Sequence, residues 1–81
     1  MRALVTGASS GIGRDMARYL NSLGYDLIIT ARGEEKLQEL KNELNRKNDN
    51  DIDIIVADLS KEEECKRLYR QVKEKYERIV K

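Results

Sequence analysis

A glycine-rich segment near the start of the chain constrains the possible fold more than any other feature. Residues 3–14 read ALVTGASSGIGR, so a short apolar run, Ala3–Val5, leads into glycines at positions 7, 11 and 13. Glycine allows the backbone to turn sharply and another group to approach it closely. A helix that begins after such a turn presents unpaired N–H groups and the positive end of its dipole, which attract a phosphate group. The segment therefore predicts a strand, a phosphate-binding turn and the start of a helix.

The glycine spacing is G-x-x-x-G-x-G, which differs from the general dinucleotide-binding pattern G-x-G-x-x-G. Residues 6–13, Thr-Gly-Ala-Ser-Ser-Gly-Ile-Gly, closely resemble the cofactor loop of the short-chain dehydrogenase/reductase family. The resemblance implies that this loop cradles a dinucleotide pyrophosphate, and the implied cofactor-binding residues are Gly7, Ser9, Ser10, Gly11, Ile12 and Gly13. The alternative is a turn that needs its glycines for structure alone, which is a rare use because three glycines cost much backbone entropy.

Hydrophobic patterning continues the alternation of strands and helices along the chain. Strands are predicted at Arg2–Thr6, Asp26–Ala31 and Ile52–Ala57, and helices from Gly11 to about Leu23, from Glu34 to Arg46 and from Lys61 to Val80. Continuous apolar strands are typical of a parallel sheet that is covered on both faces. We expect a three-layer α/β Rossmann-type half-domain, βαβαβα with parallel strand order 3-2-1, formed by residues 1–81.

Each predicted helix carries an apolar stripe. The stripe residues are Ile12, Met16, Ala17, Leu20 and Leu23 in the first helix, Leu37, Leu40 and Leu44 in the second, and Cys65, Leu68, Tyr69, Val72, Tyr76, Ile79 and Val80 in the third. The charged residues between them are expected to be solvated; in the first helix these are Arg14, Asp15 and Arg18. The stretch from Asn45 to Asp51 is expected to be a solvated connector.

Arg32 follows the second strand, at the place where dinucleotide folds approach the adenosine ribose. An acidic residue there binds the 2′-hydroxyl of NAD, but residues 30–33 contain no carboxylate. An arginine offers a planar fork for a 2′-phosphate, and in this position it resembles the NADP(H)-preferring members of the family. NADP is therefore implied as the cofactor, ahead of NAD. Those members often have a second basic residue just before the middle glycine of the loop, where this chain has Ser10. The alternative for Arg32 is that it merely begins the loop after the second strand.

Asp58 and Leu59 follow the third strand. The family places an aspartate after this strand, where its carboxylate accepts a hydrogen bond from the adenine amino group. The resemblance implies that Asp58 and Leu59 border the adenine. In addition or instead, Asp58 or Ser60 is expected to cap the following helix.

The resemblance covers the whole chain but only about the opening third of such a protein, so we expect a truncated family member. The family's catalytic serine, its Asn-Asn-Ala-Gly segment and its substrate-binding half are absent from the sequence. Tyr69 and Lys73 have the family's four-residue Tyr–Lys spacing, but on the predicted third helix, and we interpret them as a packing tyrosine and a solvated lysine. No catalytic residue is assigned.

Two classes of function follow. The first is the NADP(H)-binding part of a short-chain oxidoreductase, which in the complete family enzyme transfers hydride between NADPH and a carbonyl or alcohol; other sequence or a partner would complete an active enzyme. The alternative is a non-catalytic nucleotide-binding or self-associating structural module. An apolar first strand without a neighbour on one side favours a homo-oligomer joined through that edge.

Composition excludes several other classes. The net charge of +1 gives no reason to expect nucleic-acid binding, and no apolar run approaches the ~20 residues of a membrane span. There is no histidine and one cysteine, Cys65, so we expect no metal site and no internal disulfide. A cytoplasmic protein is the expectation.

Overall fold

The computed structural model describes residues 2–75 as alternating strands and helices. Their bounds are β1 Arg2–Thr6, α1 Gly11–Ser22, β2 Asp26–Ala31, α2 Glu34–Lys47, β3 Ile52–Val56 and α3 Glu62–Lys75. The predicted order of elements is confirmed, and the element ends differ from the prediction by about one residue, apart from the predicted end of the third helix at Val80, which lies outside the described residues. The stripe residues Tyr76, Ile79 and Val80 lie outside the described residues.

The three strands form one parallel sheet in which β2 lies between β1 and β3. Thr6 lies opposite Thr30, and Ala31 lies opposite Val56, so the carboxyl ends of all three strands meet at one edge. This is the predicted 3-2-1 order of a Rossmann-type half-domain. Within residues 2–75, β1 pairs with β2 alone and its other edge is open.

Successive strand residues point to opposite faces, and the two faces are covered by different helices. On one face the buried strand residues pack with α1 and α2; this cluster contains Ala3, Val5, Leu27, Ile29, Ala31, Ile52, Ala17, Leu37, Leu40 and Leu44. On the other face Ile28 packs with Leu68 and Val72 of α3, and Leu4, Ile55 and Leu59 lie at its border. The result is three layers, with α3 alone on its side of the described chain.

The apolar stripe of α1 is only partly buried. Ala17 is fully buried and Leu20 packs against the core, but Ile12 is 84% exposed and Leu23 is 55% exposed. Ile12 and Met16 instead border an apolar groove that runs along the open edge of β1. The α1 stripe therefore divides into a core-facing side and a side that the described chain leaves uncovered.

One expectation about solvated residues is wrong. Arg18 was expected to be solvated, but its guanidinium donates hydrogen bonds to Glu43 of α2. The connector after α2 is largely exposed, as expected. Its C-terminal end is nevertheless fixed by hydrogen bonds: Asn50 donates to the carbonyl of the buried Asn21, and the Asp51 N–H donates to Asp26 at 2.9 Å. These contacts join segments that are distant in sequence, which periodicity within one segment does not report.

Candidate functional site

The loop between β1 and α1 turns at two glycines in the left-handed region. Gly7 has φ +62° and Gly11 has φ +57°, backbone angles that residues other than glycine rarely adopt. A methyl group added to either glycine would meet no atom within 4 Å, so the backbone is open in front of the turn. The loop is tied to the sheet by the Ala8 N–H, which donates to the Thr30 carbonyl at 3.1 Å.

Gly13 has a different role, because it allows α1 to lie directly against the loop. A Cβ atom at this position would stand 2.2 Å from the carbonyl oxygen of Gly7. No side chain fits there without moving backbone. The third glycine thus fixes the first turn of α1 against the turn that precedes it.

The start of α1 presents unused hydrogen-bond donors. Within residues 2–75, the N–H groups of positions 9–13 donate no hydrogen bond, and the first bond of the helix runs from Arg14 to the Ser10 carbonyl at 3.4 Å. The Ser10 side chain, at the N-cap position, makes no capping hydrogen bond. The first turns of α2 and α3 contain glutamates, whereas that of α1 contains no acid. These groups fit an anionic ligand at the first turn of α1.

A cavity of about 600 Å³ opens at the carboxyl edge of the sheet. It is lined by Gly7, Ser9, Ser10, Ala31, Arg32, Gly33, Lys36, Ala57, Asp58, Leu59 and Ser60. The structure thus brings together six of the nine candidate site residues, from the loops that follow all three strands. Ligands of open parallel sheets bind at this edge, so the cavity is the candidate binding site.

Three candidate residues do not line this cavity. Gly11 and Gly13 lie in the first turn of α1, directly after the cavity-lining Ser10, and can contribute backbone only. The Ile12 side chain borders the apolar groove beside β1 instead. Any contact of Ile12 with a ligand in the cavity would therefore use its N–H group.

Arg32 is an exposed cation that lines the cavity at the end of β2. Its guanidinium makes no hydrogen bond or close ion pair with any described residue. Its charge helps to lower the pKa of Asp58, which lines the same cavity. The guanidinium donors are therefore available to a ligand.

Asp58 forms a tight turn before α3. Its Oδ1 accepts hydrogen bonds from the Ser60 hydroxyl at 2.6 Å and from the Ser60 N–H at 3.0 Å. These bonds, helped by the charges of Arg32 and Lys61, hold the pKa of Asp58 below its ordinary value. The Asp58 N–H in turn donates to the Glu64 carboxylate at 2.8 Å, so Asp58 is ionised and fixed while Oδ2 accepts no bond within the described chain.

Sequence reasoning missed Lys36, which lines the cavity from the first turn of α2. Its spacing of four residues from Arg32 was the available signal, because a residue in the first turn of a helix after β2 faces the same edge of the sheet. Gly33 and Ser60, which also line the cavity, were likewise not assigned to a ligand.

Tyr69 and Lys73 lie on α3 and line no part of this cavity. The interpretation of Tyr69 as a packing residue is wrong, because its side chain is 57% exposed. The Lys73 ammonium lies 5.9 Å from the centre of the Tyr69 ring. Within residues 2–75, no cluster of three His, Cys, Asp or Glu side chains could hold a metal ion, and none of the described helices has the length and apolarity to cross a bilayer.

The sequence and the fold both match known proteins. The profile of the family described as short chain dehydrogenase matches residues 1–80. The chain is 38% identical over 80 residues to a "Dehydrogenase/reductase SDR family protein 7-like" of Dictyostelium discoideum, covering 94% of this chain and 25% of that protein. A metagenomic short-chain oxidoreductase solved in complex with NADP superposes with a TM-score of 0.89 at 34% identity, covering 98% of this chain and 35% of that one. An alcohol dehydrogenase of the archaeon Thermococcus sibiricus, complexed with 5-hydroxy-NADP, gives 0.88 at 32% identity, covering 96% and 33%.

The chain spans about a quarter of that curated relative and about a third of those two solved structures. Its strand order, its glycine loop and a family match over nearly the whole sequence agree with one another. The chain therefore belongs to the short-chain dehydrogenase family.

Proposed function

We propose that residues 1–81 form a binding unit for NADP(H), with the cofactor in the cavity at the carboxyl edge of the sheet. One observation carries this proposal: unused N–H donors of the glycine loop and an unpaired arginine border the same cavity. The two groups suit the two phosphate centres of NADP, namely its pyrophosphate and its 2′-phosphate. When bound, the nicotinamide supplies hydride chemistry, which belongs to the cofactor.

In this proposal the glycine loop holds the pyrophosphate. The contributing residues are Gly7, Ser9, Ser10, Gly11, Ile12 and Gly13, mainly through their N–H groups. Support comes from the open space before Gly7 and Gly11, because a pyrophosphate must approach the backbone closely. Gly13 contributes by holding the first turn of α1 in place.

Arg32 is proposed to bind the 2′-phosphate, and Asp58 and Leu59 to border the adenine. A guanidinium offers two parallel donors to a phosphate, whereas a carboxylate in its place would repel one. Asp58 keeps one carboxylate oxygen free, which suits the amino group of adenine as a donor. The similar structures that contain NADP or 5-hydroxy-NADP support the same class of cofactor for this chain.

The proposal can be tested directly with the 81-residue chain. Backbone amide shifts are followed by NMR while NADP⁺ or NAD⁺ is added, since the two ligands differ only in the 2′-phosphate. We expect shifts at Gly11, Ile12 and Gly13 with both cofactors, and shifts at Arg32 with NADP⁺ alone, with tighter binding of NADP⁺. A folded chain whose amide signals do not shift with either cofactor would refute cofactor binding. Equal affinity for NADP⁺ and NAD⁺ would refute the NADP preference.

We further propose that the 81 residues bind cofactor without catalysing hydride transfer, which in a complete family enzyme would run between NADPH and a carbonyl or alcohol. Of the four tyrosines, only Tyr69 has a lysine four residues later, and this exposed pair lies away from the cavity. NADPH absorbance with a panel of ketones and aldehydes should stay constant. Turnover would contradict this part of the proposal and favour an active enzyme.

A second candidate function is self-association, favoured by the open edge of β1 and the uncovered part of the α1 stripe. We propose that a second copy of the chain covers this surface, to give a homo-oligomer joined through the first strand. Light scattering after size-exclusion chromatography should report more than one chain per particle. Ile12→Glu should yield monomers, while Tyr69→Glu, which changes an exposed residue on α3, should not. A monomeric parent chain would refute the proposal.

A cytoplasmic location is also proposed. It rests on the single cysteine, Cys65, which is a free thiol in this structure and suits a reducing compartment. Fractionation of cells that express the protein with a small epitope tag tests this, and recovery in a membrane or secreted fraction would contradict it.

A further inference from the structure

We propose that Lys36 is the second cation of the 2′-phosphate site, acting with Arg32; this inference rests on the proposed binding of NADP(H). The two side chains reach the cavity from neighbouring positions, since Arg32 directly follows β2 and Lys36 is the third residue of α2. Both are exposed, and both line the same cavity.

Neither cation has a close partner in the described chain. Lys47 and Lys66 each form an ion pair with a glutamate four residues earlier, at 3.9 Å and 3.3 Å. The residue four positions before Lys36 is Arg32, a like charge, and Lys36 forms no ion pair with a described residue. Two unpaired cations at one cavity repel each other, and a bound dianion would relieve that repulsion.

The position of Lys36 on its helix also indicates that its charge is stabilised by an anion in the cavity. The first turn of a helix favours negative charge, and Glu34 and Glu35 occupy this turn of α2 as expected. Lys36 lies in the same turn, where its positive charge interacts unfavourably with the helix dipole. Its charge therefore gains nothing from the helix itself, but it gains from an anion in the cavity.

Charge balance in the cavity requires more than one cation for a phosphate. A phosphate monoester carries about −1.5 to −2 at neutral pH. The ionised Asp58 lines the same cavity and its negative charge opposes part of the positive charge of Arg32. Ser10, which also lines the cavity, brings no charge. Lys36 supplies the missing positive charge, with Arg32 giving the two-point contact and Lys36 a mobile point charge.

The test compares Lys36→Gln with Lys41→Gln by amide titration with NADP⁺ and with NAD⁺. Lys41 is the matched control, because it lies on the same helix but borders the groove between α2, β3 and α3. We expect Lys36→Gln to weaken NADP⁺ binding about tenfold and to change NAD⁺ binding less than about twofold. Lys41→Gln should leave both affinities unchanged. Unaltered amide dispersion in each variant establishes that the fold is intact.

A second variant checks the assignment by rescue. Because Ser10 lines the same cavity, Ser10→Arg added to Lys36→Gln should restore most of the lost NADP⁺ affinity. Equal NADP⁺ affinity in Lys36→Gln and the parent chain overturns the inference while leaving the proposed function intact. A parent chain that binds neither cofactor overturns both the inference and the proposed function. An equal loss of affinity for NAD⁺ and NADP⁺ in Lys36→Gln would place Lys36 near another part of the ligand and overturns its 2′-phosphate role.

Discussion

Arg18 of α1 and Glu43 of α2 form a two-point ion pair, with Nε at 2.7 Å from Oε2 and Nη2 at 3.0 Å from Oε1. Planar guanidinium and carboxylate groups match in this geometry, which holds the two helices together on one face of the sheet. The hydrogen bond to Arg18, more than its charge, lowers the pKa of Glu43, although partial burial of the carboxylate opposes this.

Glu43→Gln should therefore lower the midpoint of thermal unfolding by a few degrees near neutral pH. Because the pKa of Glu43 is lowered on folding, its stabilisation is fully present above the ordinary value of 4.5 and is lost as the pH falls through the folded value. The gap between parent and variant should close on acidification from about pH 6 to about pH 3. Calorimetry at one protein concentration measures the unfolding midpoints, with Glu39→Gln, at an exposed position of α2, as control. A difference in midpoint between parent and variant that does not change with pH would contradict a stabilising role of the Arg18–Glu43 pair.

Gly13→Ala should disrupt both the fold and cofactor binding. The added methyl group would stand 2.2 Å from the Gly7 carbonyl oxygen, so α1 must move away from the loop. Overpacking of this kind costs about 1–3 kcal/mol. Gly33→Ala is the control for stability, since its methyl group meets nothing within 4 Å and its φ of −94° suits alanine. Urea unfolding of both variants and NADP⁺ titration of Gly13→Ala test the expectation. Unchanged NADP⁺ affinity in Gly13→Ala would count against binding of the pyrophosphate by the glycine loop.

Asn21→Leu should be neutral or should stabilise the chain by up to about 1 kcal/mol. Asn21 is buried, its Nδ2 makes a long 3.4 Å bond to the Leu44 carbonyl, and its Oδ1 has no partner within the described residues. Leu44 would keep its bond from the Asn48 N–H at 3.1 Å. Asn45→Leu, at an exposed position of α2, controls for the better helix propensity of leucine. A large loss of stability in Asn21→Leu would show that this amide is better satisfied than the geometry indicates.

Arg32→Asp should reverse the cofactor preference. A carboxylate at the end of β2 repels a 2′-phosphate and accepts a hydrogen bond from a 2′-hydroxyl. We expect NADP⁺ affinity to fall by tenfold or more, equivalent to at least about 1.4 kcal/mol, while NAD⁺ affinity is kept or improved. Parallel titrations of the two cofactors give the ratio. A variant that still prefers NADP⁺ would remove Arg32 from the 2′-phosphate site.

Local patterns in the sequence were sufficient to predict the order of elements and the sheet, because buried strands and the glycine loop are each continuous segments. They were also sufficient to select six residues that line one cavity, since loops after parallel strands meet at one edge. Contacts between segments were not predictable in the same way. The Arg18–Glu43 pair and the buried Asn21 depend on how α1 lies against α2 and its following loop.

Helical spacing was also misleading on α3. Tyr69 follows Leu68 and precedes Val72 by three residues, so it appeared to extend the apolar stripe. The stripe that reaches the sheet is narrow, with Leu68 and Val72 buried and Tyr69 outside it. A helix that covers a face alone has no neighbouring helix to bury its flanks.

The unequal covering of the two faces has a consequence for motion. α1 and α2 share a large buried cluster, whereas α3 is held within the described chain mainly by Leu68 and Val72. Native-state amide hydrogen exchange should therefore be fastest, among the helices, in α3, through local opening that leaves β1, α1, β2 and α2 folded. The Asp58 N–H is bonded to the Glu64 carboxylate of that helix, so each opening also releases the side of the cavity that is proposed to hold the adenine. Ligand entry and exit can then follow the rate at which α3 detaches, and a bound cofactor should slow exchange there more than in α2.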